Sequence, residues 1–350
     1  MNRAALTALL QARRAPLTRR RFAVWCSAIA CGLALPSLTA CAEHSGVAAG
    51  DGVATGDRYL FDDTYVSVSA SASKEVVEEA LGLASHFDEA LSRTNDASDI
   101  GRLNAAGGAP VDVADDTARL LEAAIRFARD TDGFFDVTIG AVSSLWDFRA
   151  ARKPDDARVR EALGHVDIGN LTVQGSVARL DDPAAIIDLG GIAKGYIADK
   201  MVERLAAREC SSALIDLGGN IYALGCKPSG DAWVVGVKDP LSPSGGLAAK
   251  LEVRDESVVT SGINERFFVQ DGVTYHHVLD PRTGYPIETD LASATVVCPS
   301  STVADVYATW ALALGGRQAA LRLGERGIDA LLIDKSGAIS CVGAMDERMR

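Results

Sequence analysis

Twice in this chain an apolar run stops at the pentapeptide Ile-Asp-Leu-Gly-Gly, at 187–191 and again at 215–219, which puts Asp188 and Asp216 28 residues apart. Each copy reads as a strand that ends in a turn, because glycine reaches φ > 0 without a steric penalty. A repeat architecture would carry the spacing on to a third copy, and none follows. The two sequels differ. The first copy continues as "IAKGYIADKMVERLAAR", whose apolar spacing is helical from Gly195 onward, whereas the second continues as "NIYALG", another strand-like stretch. The first is therefore expected to be a strand-to-helix corner. Unsatisfied helix N-terminal N–H groups there suit an anionic or phosphorylated ligand, and Lys194 adds a positive charge. On this segment alone, a plain tight turn with a solvated lysine is the alternative. The second copy, with Asp216 and Gly218-Gly219, is expected to be sheet scaffold.

Helical periodicity is also clear over Lys74 to Ser92, over Asp115 to Thr131, and over Ser301 to Gly315, the last with Ser301 or Thr302 as cap and Gly315 as terminator. Strand-like runs include "TYVSVSA", "SALIDLGG", "WVVGVK", "SVVTSG", "SATVVC" and "DALLID". These elements mix without a strict βαβ rhythm, and neither GxGxxG nor GxxxxGK[ST] occurs, so a Rossmann domain and a P-loop are unsupported. An α+β fold is expected, with residues 58–350 as one elaborated domain.

The N-terminus stands apart. Residues 1–41 carry six arginines and no acidic residue, with an apolar run from Phe22 to Leu35 that has the layout of an export signal. That run falls short of the roughly 20 residues a helix needs to cross a bilayer. "TRRRF", Thr18 to Phe22, resembles a twin-arginine signal, although any cationic signal can hold adjacent arginines. "LTAC", Leu38 to Cys41, resembles a bacterial lipobox, in which the cysteine becomes N-terminal and lipidated. Acyl chains contribute about 0.8 kcal/mol per buried CH₂, so a multiply acylated Cys41 would hold the protein on a membrane face. Residues 42–57, small and glycine-rich, read as a flexible tether, and the body is expected outside the cytoplasm.

Removing the six signal arginines from the chain's 35 basic residues leaves 29 against 47 acidic ones, a formal charge of −18. Such a surface is a poor partner for nucleic acid, whose binding rests on Lys and Arg neutralising phosphates. A cation-dependent site fits it better. Beyond Cys41 only Cys210, Cys226, Cys298 and Cys341 remain, without CxxC spacing, which argues against structural zinc and leaves disulfide pairing open.

Two further segments carry candidate chemistry. In "STVADVYATWALALG", Asp305 and Thr309 stand at i and i+4, one turn apart, so their oxygens can converge on one hard cation such as Mg²⁺. The alternative is an Asp placed for the helix dipole beside an unrelated Thr. In "YHHVLDPRTGYP" the Asp-Pro-Arg-Thr-Gly stretch reads as a turn after a short strand, and His276 and His277 would face opposite ways along it.

Taken in order, "FFDVTIG…LWDF", "DLGGIAKGYIAD", "LIDLGGNIYALG", "TSGINERFF", "HHVLDPRTGYP" and "STVADVYATWALALG" resemble the FAD:protein FMN transferases, the ApbE family, from about Tyr59 to the C-terminus. The resemblance implies a tunnelling-fold-like α+β domain, rich in antiparallel sheet, that binds FAD and uses Mg²⁺. It would transfer FMN to a Thr or Ser hydroxyl of a partner protein and release AMP. Implied metal ligands are Asp305, Thr309 and the backbone carbonyl of Gly191. Implied flavin contacts are Phe134, Phe135, Asp136, Asp188, Lys194 and Leu279, and His277 matches the histidine that helps deprotonate the acceptor hydroxyl, by base catalysis or by orienting it. Lipidated, periplasmic members are common in the family, which agrees with Cys41 and suggests an anchor in the inner membrane.

The chain departs from the family pattern at two places. Thr94 stands where the family often has an aromatic residue that can lie against the flavin, and Asp62-Asp63-Thr64 stands where it has a Met-Gly-Thr-like segment. Acceptor proteins carry an Asp-x-x-(Ser/Thr)-Gly-Ala-Thr-like motif. "DKSGAIS", Asp334 to Ser340, comes near it but has Ile339 where the acceptor hydroxyl would be, so it is expected to be a hairpin turn and the acceptor another protein. Rival activities with the same ligands are a Mg²⁺-dependent FAD pyrophosphatase and a non-catalytic FAD-binding lipoprotein.

Overall fold

A computed structural model describes residues 52–61, 64–242 and 245–350. The signal segment, Cys41, most of the tether and Asp62-Asp63 lie outside the described residues. The first strands, β1 (Ala54–Leu60) and β2 (Thr64–Ala70), pair antiparallel. A long connection follows. It carries α1 (Lys74–Leu91), α2 (Asp99–Ala105), the short strand β3 (Val111–Asp112), α3 (Asp115–Asp130), α4 (Gly140–Ser143), α5 (Asp156–Leu163), β4 (Leu171–Gln174), β5 (Val177–Leu180) and α6 (Ala193–Ala207). The chain re-enters the sheet as the hairpin β6 (Ser212–Leu217) and β7 (Asn220–Gly225). From there each step to the next sheet neighbour carries an insertion, up to the closing β14–β15 hairpin. The pair β8 (Trp233–Lys238) and β9 (Leu247–Val253) precedes β10 (Glu256–Gly262), and the pair β11 (Phe267–Gln270) and β12 (Val273–His276) precedes β13 (Leu291–Cys298). Helices α7 (Ser301–Leu314) and α8 (Gly316–Gly324) lead into β14 (Asp329–Asp334) and β15 (Ile339–Val342).

Eight strands form one open sheet in the order β1-β2-β6-β7-β10-β13-β14-β15, antiparallel at every pairing. Its two faces are covered differently. Helices α1, α6, α7 and α8 lie across one face, while β8 and β9 pack their inward Trp233, Val235, Val237, Leu251 and Val253 on the other, against Val258, Val297 and Leu331. Strand β13 sits between the layers and is buried at every position, including its two hydroxyl residues Ser293 and Thr295. Burying a large apolar side chain such as Leu291, Val296 or Val297 contributes about 1.5–3 kcal/mol. The expected α+β class holds, with an open sheet and no closed barrel.

Two sequence readings need correction. The segment before the first Gly-Gly is not a strand: Ile186 makes one isolated bridge to Ile139. The backbone of Ile187 is satisfied by the Asn104 side chain at both N–H (2.7 Å) and C=O (3.1 Å), and Asp188 N–H donates to Val137 O. A side chain and a loop thus do what a ladder would do. Strand β1 also takes in Ala54 to Asp57, which composition assigned to the tether. Its glycine has a packing reason, since a Cβ on Gly56 would lie 2.8 Å from Leu81 Cδ1 on α1. The question of disulfides, which the sequence left open, is answered by four free thiols at Cys210, Cys226, Cys298 and Cys341.

The second Ile-Asp-Leu-Gly-Gly is scaffold, as expected. Gly218 and Gly219 have φ of 62° and 91° and form the two-residue turn of the β6–β7 hairpin, with Gly219 N–H donating to Asp216 Oδ1 at 2.7 Å. "DKSGAIS" is likewise the β14–β15 turn, held by Asp334 Oδ1, which accepts from Ser336 N–H and Ala338 N–H.

Candidate active site

The first Gly-Gly spends its glycines on proximity and not on turn conformation, for neither Gly190 nor Gly191 has positive φ. A Cβ on Gly191 would lie 3.1 Å from Phe135 Cε2, so the backbone passes directly against that buried ring. Gly195, one turn into α6, is tighter still: a Cβ there would lie 2.4 Å from Ser301 O and 2.7 Å from Thr302 Cα. Glycine at 195 therefore lets the start of α6 touch the start of α7. The same contact is closed by Asp199 on α6, whose carboxylate accepts from Ser300 Oγ, from the N–H groups of Ser301 and Thr302, and from Thr302 Oγ1. A carboxylate is well placed at a helix N-terminus.

This docking brings Lys194 and Asp305 together. Asp305 is 3% exposed; its Oδ2 accepts from Gly195 N–H at 3.0 Å, and the Lys194 ammonium stands 3.7 Å from its Oδ1. That distance is outside hydrogen-bond range, so a buried carboxylate retains unused acceptor capacity. Thr309 Oγ1 lies one turn on, 3.3 Å from Asp305 O and 3.1 Å from Ser261 Oγ of β10. Among the described residues no group of three or more His, Cys, Asp or Glu is arranged to hold a metal. The donors available here are one carboxylate, hydroxyls and backbone carbonyls, an all-oxygen set that suits a hard cation.

The other candidates gather around this corner in part. Asp188 accepts from Gly190 N–H (2.9 Å) and Ser143 Oγ (2.7 Å), and Arg93 Nε stands 3.6 Å from its Oδ2. Phe135 is buried beneath Gly191, whereas Phe134 is half-buried with the Arg282 guanidinium carbon 3.8 Å from its ring centre. Arg282 is itself fixed by a two-pronged pair with Asp280 at 2.8 and 2.7 Å, so the Asp-Pro-Arg-Thr-Gly turn is bound to the Phe134 loop. Asp136 serves its own loop: Oδ1 accepts from Thr138 N–H and Oγ1, and Oδ2 from Ile168 N–H. Burial raises its pKa above the ordinary carboxylate value in spite of those bonds.

His277 follows β12, its N–H bonded to Arg266 O at 3.0 Å. Burial, with Arg266 beside it, pulls its imidazole down to about 4, and Lys194 is near enough to add to the effect. Its buried Nδ1 has no protein partner. His276 is turned the other way, with Nε2 3.2 Å from Ile287 O, so the expected opposition of the two histidines is realised. Leu279 sits in a satellite apolar cluster with Trp146, Phe268 and Tyr275. Thr94 does not join the corner: it is exposed and bonds back to Ser92, while its neighbour Arg93 reaches Asp188. Arg93, Asp199, Ser261 and Arg282 are thus the site residues that sequence reasoning missed. Ser261 and Arg282 lay within recognised motifs, but nothing in the spacing shows that Ser261 meets Thr309 or that Arg282 meets Phe134.

Fold and corner together define an α+β protein in which the start of α6, with Lys194, docks against α7, with Asp305 and Thr309. The chain belongs to the ApbE family, whose sequence profile matches residues 63–332. It is 39% identical over 306 residues to the FAD:protein FMN transferase of Treponema pallidum (strain Nichols), covering 82% of this chain and 84% of that one. It is 33% identical over 272 residues to the FAD:protein FMN transferase of Klebsiella pneumoniae (strain 342), covering 76% and 84%. In structure it is similar to the ApbE protein of Thermotoga maritima, with a TM-score of 0.78 at 30% identity over 85% of this chain and 99% of that one. It is also similar to the flavin transferase ApbE of Vibrio cholerae, with a TM-score of 0.75 at 25% identity over 85% and 99%.

Proposed function

We propose that this chain is a FAD:protein FMN transferase, which moves FMN from FAD to a Thr or Ser hydroxyl of a partner protein through a phosphoester bond. The observation that carries the reading is the corner itself, where Lys194, three residues after Gly191, faces the buried Asp305 carboxylate, with Thr309 one turn further along α7 and His277 within electrostatic reach of Lys194. Asp305, Thr309 and the carbonyl of Gly191 would hold Mg²⁺, which when bound supplies positive charge to the pyrophosphate oxygens. Lys194 adds a fixed charge to the same oxygens, and Asp188, Phe134, Phe135 and Leu279 line the approach for the flavin half. The acceptor oxygen forms a bond to the FMN phosphorus as the bond to the AMP oxygen breaks, and the hydroxyl proton leaves by way of the His277 side. At a pKa of about 4 the imidazole is neutral near pH 7 and weakly basic, which suits a hydrogen-bond acceptor that orients the hydroxyl. The loose transition state of phosphoryl transfer makes little demand for prior deprotonation of the nucleophile.

Incubation with FAD, Mg²⁺ and a candidate acceptor domain tests the reading. Transfer predicts AMP released in step with FMN gained by the acceptor. Free FMN and AMP without acceptor gain would instead make the chain a pyrophosphatase, and unchanged FAD a binding protein. We further propose that Cys41 is lipidated and holds the body on the periplasmic side of a bacterial membrane. Cys41→Ala should then move the full-length protein from the membrane to the soluble fraction, and an unchanged distribution would refute the anchor.

A further inference from the structure

Strand β10 and helix α7 run side by side in a fixed register, riveted by two hydroxyl pairs. At the start of both elements Ser257 Oγ donates to Ser301 Oγ at 2.9 Å, and Ser301 Oγ in turn donates to Asn220 Oδ1 at 2.6 Å. Further along, Ser261 Oγ meets Thr309 Oγ1 at 3.1 Å, with Val259 in the apolar core between the two pairs. Four residues of strand cover about 13 Å and eight residues of helix about 12 Å, so the two rivets fit one another with little slack.

The second rivet falls on Thr309. Threonine in a helix divides between two χ1 rotamers, because its hydroxyl can turn back to a carbonyl one turn earlier. The rotamer present is the one bonded to Asp305 O at 3.3 Å, and Ser261 Oγ stands nearer than that carbonyl. A hydroxyl that ligates a cation offers a lone pair to it and must send its proton elsewhere. Ser261 is the closer acceptor for that proton, on an element that cannot slide along the helix.

We propose that Ser261 is a positioning residue of the cation site, acting through Thr309: it selects the rotamer and directs the Thr309 proton away from the cation. This rests on the cation reading given under the proposed function. Partners that orient a metal's ligands commonly change affinity by 10–100-fold when removed.

The test uses Mn²⁺ as probe on the purified chain without FAD, with free Mn²⁺ followed by electron paramagnetic resonance. Ser261→Ala should weaken Mn²⁺ binding about tenfold, Ser261→Thr, which keeps a hydroxyl, should restore most of it, and the melting temperature without Mn²⁺ should stay the same in both. Equal Mn²⁺ affinity in the parent and in Ser261→Ala would overturn the role of Ser261 and leave the cation site standing. A loss in Ser261→Ala that Ser261→Thr does not restore, together with a lower metal-free melting temperature, would make Ser261 a structural strut and overturn the proposal. A parent chain that binds no Mn²⁺, or binds it equally well after Asp305→Ala, would overturn the cation reading and the role of Ser261 with it.

Discussion

His276 and His277 are adjacent in the chain, and both are held neutral by where they lie. Burial brings each imidazole from the ordinary value of 6.5 down to about 4. Between those two pH values the unfolded chain binds protons that the folded one refuses. Stability from this source is therefore complete above pH 6.5 and declines as pH falls toward 4. The urea midpoint is expected to drop across that window, and His276→Gln, which keeps a donor for Ile287 O, should remove part of the drop. A midpoint that is flat from pH 6.5 to 4 in the parent protein would contradict the burial of both rings. At the same scale, glycine has two separate uses. Gly218 and Gly219 are needed for left-handed backbone, whereas Gly195 is needed because the Ser301–Thr302 backbone leaves no room for a Cβ, and Gly191 keeps the chain in close contact with the Phe135 ring.

Among the elements, the junction of α6 with α7 does most to place the site. Asp199 gathers four hydrogen bonds from the first residues of α7, and the same junction sets Lys194 opposite Asp305. Asp199→Ala is expected to lower stability by about 2–3 kcal/mol and the melting temperature by roughly 5 °C. A thermal melt superimposable on that of the parent would show that the junction is held by apolar packing alone. The elements themselves were legible, because period and capping are local: α7 was expected over Ser301 to Gly315 and runs Ser301–Leu314, and "TYVSVSA" and "WVVGVK" are strands over the same residues. The first Gly-Gly corner was read as the end of a strand, and it is not one. Its backbone is satisfied by Asn104, 83 residues away, and no local pattern records such a partner. Arg93 and Asp188 are separated in the same way, and so are Ser261 and Thr309, whose bonded side chains lie 48 residues apart.

For the molecule as a whole, the sheet divides scaffold from chemistry. Neighbouring strands of the open sheet follow one another in the chain, and apart from Ser261, which lies on β10 itself, the site residues lie in the connections between them. The β2-to-β6 connection carries Arg93, Phe134, Phe135, Asp188, Gly191 and Lys194, the β10-to-β13 connection carries His277, Leu279 and Arg282, and the α7 excursion carries Asp305 and Thr309. The body is acidic, at −18 once the six signal arginines are set aside, and under the proposed reading Lys194 and a bound divalent ion would supply the positive charge at the corner. The most direct measurement is the intact mass of an acceptor domain after incubation with FAD and Mg²⁺, with the parent chain and with Asp305→Ala side by side. The account predicts that the acceptor gains the mass of one FMN with the parent and loses that gain, by 100-fold or more in rate, with the variant. Equal flavin gain with Asp305→Ala, or none with the parent while FAD is split to FMN and AMP, would contradict it.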